Sequence, residues 1–170
     1  MTESDLKRAA KQWLASVGAW TVLVPRGAYG RPGDPDLTAV WHGLAFALEA
    51  KNPDGRGRQS GWQEQAEAAC FRAGGDYILF KDVPTLRRRM EYRLKRRDEG
   101  MGTVEEDVND ARRQGDWHGI ADIDAYRFVA VGIRDPSLIR MYVEQGIDCQ
   151  VAADLELEKL INAPALDPLS

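Results

Sequence analysis

Asp36, Glu49 and Lys51 are the residues of this chain whose types and spacing could do chemistry. They lie in the stretch GDPDLTAVWHGLAFALEAKN, where one carboxylate follows Pro35 and a second stands two residues before an amine at the end of an apolar run. A strand has a side-chain period of two, so Glu49 and Lys51 leave the same face of a strand over 44–51 while Ala50 points away. Two carboxylates that meet in space are a natural cradle for a hard divalent cation such as Mg2+. An ammonium beside them can orient a water or stabilise charge developing on a phosphate. Metal-assisted phosphodiester hydrolysis needs that set of groups. The same three residues also fit a turn at Pro35-Asp36 and a strand ending in solvated charges, so the elements around them have to decide.

Those elements can be drawn from the pattern. Thr2, with Asp5 three residues on, is an N-cap in the manner of a capping box. Leu6, Ala10, Trp13, Leu14 and Val17 then form one helical stripe, ended by Gly18. Residues 20–24 (WTVLV) predict a buried strand closed by Pro25, and RGAYGRPGDP a long irregular loop. A short strand over 37–40, a turn at His42-Gly43 and a strand over 44–50 follow. In the last of these Leu44, Phe46 and Leu48 face one way, and Ala45, Ala47 and Glu49 the other. A polar loop, NPDGRGRQS, leads to a helix marked by Trp62, Ala66, Ala69, Cys70 and Ala73, with Trp41 and Trp62 expected as packing residues. Gly74-Gly75 stops that helix, residues 77–80 are a fourth strand, and Asp82 caps a helix with Val83, Leu86, Met90 and Leu94 on its apolar side.

At 170 residues the chain can bury one solid core, with room for a small second unit. Its 44% hydrophobic and 29% charged content is ordinary for a soluble globular protein. No apolar run approaches the ~18 residues of a membrane span, and the N-terminus lacks a secretory apolar region. Cys70 and Cys149 are too few and too far apart for a disulfide framework or a zinc site, so a reduced cytoplasmic protein is the expectation. Residues 1–100 carry 17 Lys and Arg against 13 Asp and Glu, whereas the remaining 70 carry 6 against 14. A basic front and an acidic back assign any contact with a polyanion to the front half.

The run RGAYGRPGDPD, then FALEAKNPDGRGR, then Gln63, then GGDYILFKDV resembles the VRR-NUC family, a branch of the PD-(D/E)xK nucleases. The match spans roughly residues 2–90 and includes a glutamate in the first helix. It implies an α/β fold with a restriction-endonuclease-like core, helix, three strands, helix, strand, helix, in which a mixed sheet is flanked by helices. Carried over residue by residue, Asp36 and Glu49 would be metal ligands for Mg2+ or Mn2+, joined by the Ala50 carbonyl. Lys51 would place the attacking water, Gln63 would lie near the metal or phosphate, and Glu3 would reach the metal directly or through water. Asp5 is its rival and also fits a simple cap. Asp34 departs from the family pattern, which has an apolar residue between Gly and Pro.

The resemblance further implies DNA as partner and endonuclease activity, with branched DNA such as a Holliday junction or flap favoured and a homodimer as one arrangement. The setting would be a bacterial or phage-infected cytoplasm. A restriction-type or nicking enzyme on linear duplex, and an inactive nucleic-acid-binding module, stand as alternatives. Arg26, Arg31, Arg56 and Arg58 could hold the phosphate backbone and Tyr29 could stack on a base, although loop charges and a packing tyrosine fit the sequence equally. RRRMEYRLKRR, with seven Lys or Arg, is either a further DNA contact or a charged helix face. Residues 1–98 are thus expected to form the nuclease domain and 99–117 a polar linker or solvated helix. Residues 118–170 would be a small acidic α/β extension, with strands at RFVAVGI and near 149–152.

Overall fold

The computed structural model describes residues 2–24, 30–52 and 60–162. Along the chain run α1 (Glu3–Ser16), β1 (Trp20–Leu23), β2 (Leu37–Trp41), β3 (Leu44–Ala50), α2 (Gly61–Arg72), β4 (Asp76–Phe80) and α3 (Val83–Asp98). Four more helices follow: α4 (Val104–Gln114), α5 (Asp122–Ala130), α6 (Pro136–Glu144) and α7 (Cys149–Asn162). β1, β2 and β3 form an antiparallel meander, and β4 joins β3 in parallel, giving one mixed sheet ordered β1-β2-β3-β4. A parallel pair needs a crossover, which α2 supplies. No helix among the described residues is long and apolar enough to cross a membrane.

Local chemistry sets the ends of these elements. Thr2 and Asp5 close a capping box on α1, and Ser60 and Gln63 close another on α2. Between β2 and β3 the chain turns on His42 and Gly43, whose φ values of 47° and 81° are both left-handed. Such a two-residue turn matches the twist of the strands it joins. It fixes the register from Trp41↔Leu44 to Leu37↔Leu48.

The sheet is covered on both faces. On one, Leu37, Phe46, Leu48, Ile78 and Phe80 pack against Leu6, Ala10 and Leu14 of α1 and Leu86 and Met90 of α3. Trp41 seals the hairpin end: its indole N–H donates to the Val17 carbonyl at 3.1 Å and its ring meets Trp13 edge-on. On the other face Ala47 and Tyr77 lie with Ala68 and Phe71 of α2, Val104 and Val108 of α4, and Ala125, Tyr126 and Val129 of α5. A third cluster links Phe128 to Ile139, Tyr142, Cys149 and Ala152 in the helices beyond. Each large side chain so buried contributes about 1.5–3 kcal/mol.

Four expectations are corrected. β1 is not buried: Trp20, Val22 and Leu23 are 62%, 40% and 50% exposed, because, among the described residues, β1 is the edge strand and none of its side chains enters either core cluster of the sheet. Trp62 is 62% exposed rather than packed, since α2 turns Glu67, Ala68 and Phe71 inward. Within 99–117, residues 104–114 form a helix that buries Val104, Val108 and Ala111 instead of remaining solvated. The extension has helices where strands were expected, at α5 and at the start of α7. In α5 Ala125, Tyr126 and Val129 recur at helical spacing toward one cluster while Phe128 enters another. A short apolar run buried on two sides carries no period that separates helix from strand.

Candidate active site

The register of the β2–β3 hairpin brings Asp36 and Glu49 together. Carried one residue past Leu37↔Leu48, the pairing sets Asp36 across from Glu49, and residues directly opposite share a face. The Asp36 backbone N–H donates to Glu49 Oε2 at 3.2 Å, and the Ala50 N–H donates to Asp36 Oδ2 at 3.0 Å. Each carboxylate thus accepts a hydrogen bond from the strand that carries the other. The backbone beneath is held on both sides, by Val24 N–H to the Asp36 carbonyl at 3.0 Å and Lys51 N–H to the Phe80 carbonyl at 2.9 Å. Asp36 is 4% exposed and Glu49 2%.

Burying two carboxylates side by side costs several kcal/mol per ion unless hydrogen bonds and opposite charge meet them. Lys51 and Gln63 answer Glu49: the Lys51 ammonium lies 3.3 Å from Oε1, and the Gln63 amide donates to the same oxygen at 2.5 Å. Lys51 also donates to Gln63 Oε1 at 3.1 Å, closing a triangle. Gln63 is placed by its capping box, in which its Oε1 accepts from the Ser60 N–H at 3.0 Å and its own N–H donates to Ser60 Oγ. The Ser60-x-x-Gln63 spacing is the sequence signal for that helix start. Gly33 lets the preceding loop press on the same helix end. With φ of 93°, its Cα approaches so closely that a Cβ would sit 2.4 Å from the Trp62 carbonyl oxygen.

Glu3 and Asp5 separate cleanly. Asp5 accepts from the Thr2 N–H and hydroxyl and pairs with Arg8, and these bonds hold its carboxyl below the usual range. Glu3 instead meets Lys7 at 2.7 Å, and the Lys7 ammonium lies 2.8 Å from Asp36 Oδ1. Lys7 is a site residue that sequence reasoning missed. Its signal was the i,i+4 spacing from Glu3, beside the Leu6–Ala10 stripe that faces the sheet.

Arg31 is exposed on the loop before Asp36, and its backbone exchanges hydrogen bonds with Asp34: N–H to Oδ2 at 2.8 Å, and carbonyl to the Asp34 N–H at 3.1 Å. Asp34 therefore shapes the loop. Arg26, Tyr29, Arg56 and Arg58 lie outside the described residues. The basic run of α3 is largely engaged within the molecule: Arg93 pairs with Asp76 at 2.7 Å, Arg96 with Asp107 at 3.2 Å, and Arg89 donates to the Leu79 carbonyl.

Beside Lys51 opens a cleft of about 630 Å3. Asn52, Lys81 and Arg89 line it together with Asp148, just before α7, and Gln150 and Asp154 in its first turns. The extension therefore forms a wall of the space next to the site. As a donor set, two carboxylates and the Ala50 carbonyl are hard oxygens and suit Mg2+ or Mn2+. Among the described residues no group of three or more His, Cys, Asp or Glu gathers as a metal cluster.

No protein-family model matches this chain, and no curated protein matches it. A solved structure titled "VRR_NUC domain" is similar at a TM-score of 0.45 and 17% identity, over 54% of this chain and 97% of that one. A likeness of that size decides nothing about this chain, whose candidate site stands on its own geometry.

Proposed function

We propose that this chain is a metal-dependent nuclease that hydrolyses DNA phosphodiester bonds internally, selecting branched DNA such as a four-way junction or flap. The observation that carries this reading is the pair of backbone-to-carboxylate hydrogen bonds across the hairpin, Asp36 N–H to Glu49 and Ala50 N–H to Asp36, with Lys51 and Gln63 closing on the other Glu49 oxygen. Asp36, Glu49 and the Ala50 carbonyl would hold Mg2+ or Mn2+, which when bound supplies an activated water and neutralises phosphate charge. Gln63 and Glu49 hold the Lys51 ammonium at the edge of the cleft. From there it can orient the attacking water and meet the charge that grows on the phosphoryl oxygens. Attack in line with the 3′ oxygen breaks the P–O3′ bond and leaves a 5′-phosphate and a 3′-hydroxyl. Gln150 and Asp154 of α7 line the cleft beside Lys51, and such a walled cleft supports a preference for branched DNA over uninterrupted duplex.

The test incubates the wild type and Lys51→Ala with labelled junction, flap, linear duplex and single-stranded DNA, with and without Mg2+. Metal-dependent cutting by the wild type, at least about 100-fold slower in Lys51→Ala, is the expected result. Equal cutting by both proteins sinks the assignment. Equal rates on junction and linear duplex leave the nuclease and remove the branch preference, while tight DNA binding without cutting points to a binding module.

A further inference from the structure

Lys7 is held by two carboxylates that converge from different places, Glu3 one turn earlier in α1 and Asp36 just before β2. The Asp36 side chain is 1% exposed, that of Lys7 19% and that of Glu3 38%, so the three run from the buried site out to solvent. An ammonium 2.8 Å from Asp36 Oδ1 takes up the oxygen opposite the one that the Ala50 N–H binds. Lysine carries its charge as a point on a flexible four-carbon stem, which can swing away without disturbing the fold.

We propose that Lys7 is an internal counter-cation that a divalent ion displaces from Asp36. This inference rests on the metal-dependent reading of Asp36 and Glu49. Lys7 neutralises the site before metal arrives, and the cost of moving it sets how much metal the protein needs. The ion and the ammonium compete for one oxygen, so removing the ammonium tightens metal binding even as it strips a favourable contact from the metal-free protein.

Mn2+ binding to the full-length protein, followed by electron paramagnetic resonance and calorimetry without DNA, separates the outcomes. Lys7→Met is expected to bind Mn2+ about tenfold more tightly than wild type, and Lys7→Gln by a smaller factor in the same direction. Thermal midpoints are expected to rise more with Mn2+ in both variants than in wild type. Arg8→Met removes the same charge from a neighbouring exposed position, where Arg8 pairs with Asp5, and should change the affinity less than twofold. Unchanged or weaker binding in folded Lys7→Met and Lys7→Gln, beside wild-type binding that Asp36→Asn abolishes, overturns the counter-cation role and leaves the metal site. Wild-type protein that binds no Mn2+ overturns both. The Mn2+ concentration giving half-maximal cleavage should fall along with the dissociation constant. A fall in rate with that concentration unchanged would instead make Lys7 a phosphate contact.

Discussion

The buried acids of this protein fall into two regions that are held in different ways. Asp76 is paired with Arg93 at 2.7 Å, Glu67 with Arg127 at 2.7 Å, and Asp107 with Arg96 and Arg134 at 3.2 and 2.9 Å. Asp36 and Glu49 are met, among the described residues, by Lys7, Lys51, the Gln63 amide and two backbone N–H groups. A guanidinium is a planar fork that suits a fixed carboxylate, whereas an ammonium is a compact charge on a mobile stem. The first set ties α2, α3, α4 and α5 to one another and to the sheet. The second sits at the candidate site, where the proposed chemistry would need partners to leave and return. Among the described residues, two sets of equally buried carboxylates therefore differ in the kind of side-chain counter-charge that meets them.

Substitutions in the two regions should therefore have opposite signatures. The largest effect is expected at the site. Asp36→Asn and Glu49→Gln should each lower DNA cleavage by at least about 100-fold, measured as single-turnover rates. Neither should cost more than about 1 kcal/mol in urea unfolding, because removing one of two adjacent carboxylates relieves their repulsion. A large loss of stability in either would erase the distinction.

Arg93→Met should do the reverse, removing about 3–5 kcal/mol of stability by leaving Asp76 buried without its partner. Burial already raises the Asp76 carboxyl above its ordinary value even with Arg93 present. The folded state of the variant then binds a proton more readily than the unfolded chain. Its stability deficit should shrink as pH falls from 7 toward the ordinary carboxylate range and grow as pH rises through the folded-state value. A deficit that deepens on acidification would contradict this.

Arg127→Met tests the tie between the extension and α2, the helix that carries Gln63. The Arg127 side chain keeps 21% exposure, so the cost should be nearer about 2 kcal/mol than that of a fully enclosed pair. Cleavage should fall less than in Asp36→Asn, and a loss as large would move Arg127 into the site itself. The smallest effect concerns the thiols. Burial pushes Cys149 up to about 12 and Cys70 up to about 11. At pH 8 neither should be appreciably ionised, and iodoacetamide should label both far faster in urea than in the native protein. Rapid native labelling of Cys149 would mean that α7 opens away from the cleft.

Much of the candidate site was readable before any coordinates because its grammar is local. The His42-Gly43 turn, the alternation through residues 44–51 and the caps at Thr2 and Asp82 each act within a few residues. The Pro-Asp to Glu-x-Lys spacing follows from that hairpin, since the register of a two-residue turn dictates which residues end up opposite each other. Lys7 was not readable in the same way. Its place depends on how α1 packs across the sheet, a contact between residues 29 positions apart that no local rule specifies. Trp62 and the exposed β1 failed for a related reason: apolar residue type alone does not reveal which surfaces other elements will cover.

The amino-acid sequence by itself determined the order of elements through α3, the hairpin and the residue types at the site. Periodicity, capping and turn chemistry act over a few residues and leave their marks in the chain. Only the tertiary structure decided that the extension is helical and shares a core with the sheet through Phe71, Tyr77, Val108 and Tyr126. Among the described residues, it alone placed lysines beside one pair of buried acids and arginines beside the others. Burial and charge pairing are settled by distant parts of the chain meeting, and the free energy of such a contact belongs to the assembled fold rather than to any segment of it.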